Sequence, residues 1–82
     1  MNTSWRYCIS RELEDGVLVF GIREVYTDSD GTIAWSESTV EPQGETLTEI
    51  VADLGHMESA TVGDVLDLTL DPPRLVPKRD VA

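Results

Sequence analysis

From Trp5 to Ser10 the chain alternates, placing Trp5, Tyr7 and Ile9 on one side and Arg6, Cys8 and Ser10 on the other. A period of two is that of a half-buried β-strand. Asp15-Gly16 follows, the chemistry of a tight hairpin turn, because Gly accepts the positive φ such a turn needs. A second strand is predicted from Val17 to about Thr27, with Leu18, Phe20 and Ile22 sharing one face and Val17, Val19 and Val25 the other. Asp28-Ser29-Asp30-Gly31 marks a second turn, after which Ile33 and Trp35 continue the alternation. Pro42 and Gly44 end the sheet.

At Thr46 the period changes. Thr46-Leu47-Thr48-Glu49 is a capping box, and Leu47, Ile50, Val51, Leu54 and Met57 then recur at helical spacing. Glu49, Asp53 and His56 fall on the other side of that helix, which should fray near Glu58. For residues 62–70 a short strand and a helical turn both remain open, with a strand from Val65 to Leu70 favoured. Residues 71–82, with Pro72, Pro73 and Pro77, read as a mobile tail. The expected architecture is α+β: a three-stranded antiparallel meander, one amphipathic helix on one face, and room for a short fourth strand. It forms a single domain over residues 1–70.

Charge changes this picture. The 82 residues carry 16 Asp and Glu against 6 Lys and Arg, a formal net charge of -10. The basic residues lie towards the two ends, and none occurs from Glu24 to Pro73, where twelve acids fall. Such a segment cannot neutralise itself through local i,i+4 pairs. Direct binding to nucleic-acid phosphates is disfavoured, since that affinity comes from Lys and Arg, and so is docking on anionic membranes. With one Cys there is no internal disulfide; with no apolar run of spanning length and no signal-peptide pattern, a cytoplasmic protein is expected.

Candidate chemistry is thin. Asp28, Asp30, Gly31 and Glu37 match part of a calcium-loop spacing, but Tyr26 stands where the first Asp belongs and the flanks alternate as strands. Glu49, Asp53 and His56 could offer ligands from one helix face, although acidic helix faces are ordinarily just solvated. Cys8 and His56 are the only thiol–imidazole pair, and there is neither a nucleophile elbow nor a phosphate loop. No enzyme activity, cofactor or metal is therefore expected.

Three stretches carry a resemblance: Phe20 to Gly31, Ala34-Trp35-Ser36-Glu37 and Gly44-Glu45-Thr46-Leu47-Thr48-Glu49-Ile50. They resemble a group of small uncharacterised bacterial proteins with a Glu-Val-Tyr, Asp-Gly, Trp-Ser/Thr-Glu and Gly-Glu-Thr-Leu pattern, over about residues 5–60. More distantly, the order of three strands and a Gly-Glu-Thr-Leu helix start is similar to the N-terminal domain of HicB-like antitoxins. That resemblance implies binding and inhibition of a partner protein.

Together these features predict a non-catalytic acidic module that regulates or inhibits a basic, nucleic-acid-binding protein by charge mimicry, as an antitoxin or a phage anti-defence protein would. The expected contact stripe is Glu37, Glu41, Glu45, Glu49 and Asp53, which recur every four residues. The alternative is a housekeeping domain whose acidity serves solubility, assembling as a homodimer through a sheet edge or apolar patch.

Overall fold

Asp15 and Gly16 set the frame. Both have positive φ, 52° and 80°, which matches a two-residue turn to the twist of its flanking strands. In the computed structural model, which describes residues 3–81, this turn joins β1 (Ser4–Glu14) to β2 (Val17–Thr27). The two pair antiparallel along their whole length, from Ser4 opposite Thr27 to Glu14 opposite Val17. β3 (Ile33–Trp35) pairs antiparallel with the end of β2. β4 (Val65–Asp67) lies parallel to β1, with Leu66 opposite Ser10, and β5 (Arg74–Val76) pairs antiparallel with β4.

The sheet order is thus β3-β2-β1-β4-β5. The expected three-stranded antiparallel meander is overturned: five strands of mixed direction form a curled half-barrel with one short helix. The physical reason is an edge. A β1-β2-β3 meander leaves the far side of β1 unpaired, and an open ladder of N–H and C=O groups accepts a returning strand. Arg11 and Asp67, partners in that parallel pair, are 56 residues apart in the chain, and no local turn chemistry announces such a pairing. Arg74–Val76, in the segment expected to form the tail, supplies the outermost strand.

Curling also decides which face is the core. The inside of the curl holds Cys8, Ser10, Arg23, Val25 and Leu66, all at most 5% exposed. Ile33, Trp35, Leu68 and Leu75 pack around it. The aromatic and aliphatic side of the hairpin is the outer face; the helix stands against its Tyr7 and Ile22 end, and Leu13, Leu18 and Phe20 remain about half exposed. At its other end Trp5 and Tyr7 meet edge to face, ring centroids 5.2 Å apart.

The helix α1 (Leu47–Glu58) begins as its capping box dictates: Thr46 Oγ1 accepts the Glu49 amide and Glu49 Oε2 accepts the Thr46 amide. It meets the rest of the protein along Ile50, Asp53 and Met57, and the following 3-10 turn (Ser59–Thr61) buries Ala60. Leu47, Val51 and Leu54 stay 79%, 58% and 51% exposed. The apolar stripe is therefore split, half against the sheet and half towards solvent.

Candidate functional site

Four of the six cations are engaged by groups of the fold itself. Arg23, buried within the curl, donates from Nη1 to the carbonyls of Ser36 and Glu37 at 2.8 Å each and from Nη2 to Glu12 Oε1 at 2.8 Å. Its Nε donates to Ser10 Oγ at 3.3 Å. Burial of a guanidinium is tolerable only when its donors are matched in this way. Arg6 Nη2 donates to the Val62 carbonyl at 2.6 Å, and the guanidinium fills the space where a Cβ at Gly63 would stand. Lys78 Nζ donates to the Thr61 carbonyl at 2.8 Å, and Arg11 pairs with Asp67 at 3.2 Å. Arg6 and Arg23 thereby fasten irregular backbone to the sheet.

The five acids expected to form one stripe are distributed over three places. Glu37, Glu41 and Glu45 are exposed on the irregular segment between β3 and α1. Glu37 lies beside a groove it shares with Glu12 and Glu14, on the side of Arg23. Glu41 and Asp53 border a polar cleft of about 330 Å³ that also includes Tyr7, Glu24 and Gln43. Glu45 and Glu49 flank the helix start with Pro42 and Gly44. Two of the five carboxylates are engaged locally: Glu49 accepts the amides of Glu45 and Thr46, and Asp53 Oδ2 accepts the Gln43 amide at 2.8 Å. The four-residue recurrence crosses a non-helical segment, so it does not translate into a single line of charge.

Sequence reasoning missed Glu12, Glu14 and Glu24 as neighbours of these acids. The signal for Glu24 was present: a two-residue turn at Asp15-Gly16 places Tyr7 opposite Glu24 and Trp5 opposite Tyr26. Tyr26 donates to Glu24 Oε1 at 2.6 Å. That bond raises the Tyr26 pKa, and desolvation, with Asp53 and Glu24 nearby, raises that of Tyr7. Both phenols are therefore held as neutral donors, suited to binding and poorly suited to acting as bases.

Other chemistry is not assembled. Burial raises the pKa of the Cys8 thiol, and Cys8 faces the inside of the curl while His56 is exposed on α1. They cannot form a nucleophile–base pair. In the would-be calcium loop, Asp30 Oδ1 accepts the Thr32 amide at 2.9 Å, which lowers its pKa, and Asp28 accepts the Thr3 hydroxyl at 2.9 Å. Asp30 thus caps the turn, and Asp28 ties it to the start of β1. Among the described residues no three His, Cys, Asp or Glu side chains converge as a metal site would require, and no helix is long and apolar enough to cross a membrane.

The second surface feature is apolar. On the outer face Leu13 lies opposite Leu18, Arg11 opposite Phe20 and Ile9 opposite Ile22. Ile22 then borders a groove of about 610 Å³ lined with Pro42, Val51, Leu54 and Met57. The hairpin ladder and the outward half of the helix stripe thus run together. Compared with protein-family models, curated proteins and solved structures, the chain matches none of them.

Proposed function

We propose that the protein is a non-catalytic acidic module that docks on a basic protein surface and regulates or inhibits that partner, in the manner of an antitoxin or an anti-defence protein. One observation carries this reading: Glu37, Glu41 and Glu45 stand exposed on one segment and join none of the ion pairs among the described residues, which are Arg11–Asp67, Arg23–Glu12 and Arg79–Asp80. Arg23, which lines the same groove as Glu37, is spent on the carbonyls of Ser36 and Glu37 and on Glu12. Charge left without a local counterion steers encounter with an oppositely charged partner and disfavours acidic ones. Glu49 and Asp53 accept backbone amides of the segment that carries these acids, so their contribution is to its shape. A partner that binds nucleic acid would present the matching basic groove, and charge mimicry is then the mode of inhibition.

The test compares the wild type with the triple variant E37Q/E41Q/E45Q, both immobilised and exposed to bacterial lysate at low salt. The expected result is a basic protein retained by the wild type, released by moderate salt and not retained by the variant. Equal retention by both, or no retained protein, overturns the reading.

A further inference from the structure

One short stretch of the outer edge of β2 is open. The carbonyls of Glu24 and Ile22 accept the amides of Ser36 and Val40, so the even-numbered residues of β2 direct their backbone groups away from β1. By the alternation of an antiparallel ladder, Leu18 and Phe20 do the same. Among the described residues neither has a backbone partner on that side. The stretch is bounded at both ends: Asp15-Gly16 turns the chain back at one, and Val40 already occupies the Ile22 position at the other. What remains is room for a strand of four residues, opposite Val17, Leu18, Val19 and Phe20. Open edges are commonly blunted with Lys or Pro, and these four include neither.

The two sides of this edge differ in chemistry. On the outer side Leu18 and Phe20 are 49% and 53% exposed, with Leu13 opposite Leu18. On the inner side a groove of about 410 Å³ runs past Val19 and Gly21 and is lined by Glu12, Glu14 and Glu37. The hairpin register places Glu12 opposite Val19 and Glu14 opposite Val17. Arg23, the one cation lining the groove, is bonded to Glu12. Glu14 and Glu37 join no ion pair among the described residues.

We infer that this edge accepts an extended segment of the basic partner, added to β2 as a short antiparallel strand whose side chains alternate between apolar and basic. Residues opposite one another in a ladder point to the same face. The segment's residues opposite Leu18 and Phe20 therefore lie on the apolar outer side. They exchange both backbone bonds with Leu18 and Phe20, four N–H···O=C bonds in all. Its residues opposite Val17 and Val19 lie on the inner side, where a Lys or Arg reaches the carboxylates of Glu14 and Glu37. Charge complementarity selects this occupant, because an acidic or wholly apolar strand would desolvate those carboxylates without compensating them. In strand addition the main-chain bonds supply affinity and the alternate side chains supply specificity. The inference rests on the proposed docking with a basic protein and names the part of that protein that is recognised.

The probe is the capped peptide Gly-Val-Lys-Val-Lys-Gly, titrated at low salt into isotope-labelled protein and followed by NMR. Shifts should concentrate at the amides of Val17 to Phe20, and affinity should fall as salt rises. Methylating the two valine amides removes the donors aimed at β2 and should abolish binding, although the charge is unchanged. The isomer Gly-Val-Val-Lys-Lys-Gly puts a valine in the groove and a lysine on the outer face, and should bind about tenfold less tightly. A loss of about the same size is expected when the first peptide meets the E14Q/E37Q protein. Leu18→Pro removes one outward N–H and leaves the β1 bonds in place; once circular dichroism shows it folded, it should not bind. Equal binding of the N-methylated peptide, shifts centred on α1, or no binding at millimolar peptide overturns the inference. So does a dimer that protects the same amides before peptide is added, which would give the edge to a second copy. A basic protein from lysate that still binds L18P supports the proposed function and overturns this inference alone. Peptide binding at the edge with no protein retained from lysate supports this inference and overturns the proposed function.

Discussion

The two faces of one hairpin have had opposite fates. On the inside of the curl, Cys8, Ser10, Arg23 and Val25 come from the sides of β1 and β2 that read as mixed and polar, yet they are almost completely buried. On the outside, Leu13, Leu18 and Phe20 come from the sides that read as apolar, and they keep about half their surface in water. Hydropathy alone would assign the faces the other way round. What separates them is enclosure: the inner face is wrapped by β3, β4 and β5, which bring Trp35, Leu66 and Leu75 over it. The outer face has only one end of a short helix to cover it. Within the hairpin burial follows this enclosure, and buried Arg23 is matched by the Ser36 and Glu37 carbonyls and by Glu12, while Val65 and Asp67, on the side of Arg11, are buried as well.

That contrast can be broken most sharply at Arg23. Arg23→Met keeps length but strands Glu12 and the carbonyls of Ser36 and Glu37, and should cost about 3–5 kcal/mol, enough to leave a domain of this size largely unfolded. Urea denaturation followed by circular dichroism measures this. Leu66→Ala, with no exposed surface in the native state, should cost roughly 2–5 kcal/mol through transfer and cavity terms. The same Leu→Ala change at Leu54, on the outer side, should cost under about 0.5 kcal/mol. If Leu54 proved as costly as Leu66, the division between faces would not describe the stability.

Asp67 is a finer probe. Its burial opposes ionisation, but the Thr69 hydroxyl and amide and then Arg11 outweigh that and lower its pKa below 3.8. A carboxylate with a depressed folded pKa contributes stability that is fully present above the unfolded value and is lost as pH falls through the folded one. Asp67→Asn should therefore cost about 1.5–3 kcal/mol at neutral pH. The loss should shrink in acid denaturation below about pH 3.8, where the wild type gives up the same contribution. The smallest effect is expected at Leu47, where Leu47→Ser should shift the denaturation midpoint within error.

Much of the local structure was legible in the sequence. Asp15-Gly16 fixed the hairpin and its register, and Thr46 with Glu49 fixed the helix start, because each is settled by groups a few residues apart. What was not legible depends on distant segments meeting. Val65-Leu66-Asp67 carries no mark that it pairs with β1, and Pro72-Pro73 hides that Arg74–Val76 is a strand. The candidate acids were readable as exposed charge at Glu37, Glu41 and Glu45. Glu49 and Asp53 are engaged locally as well, since a carboxylate near a helix start can hold backbone amides.

The two tryptophans fall one on each side of this division: Trp35 packs against the inner core, while Trp5 is 55% exposed at the end of the outer face, against Tyr7. The protein thereby carries a separate fluorophore for each face. Acrylamide should quench Trp5 more readily than the partly buried Trp35, and a Trp5→Phe variant would leave an emission that reports on the inner core alone. Anything that settles near the Trp5 end of the outer face would shift the other signal without disturbing it.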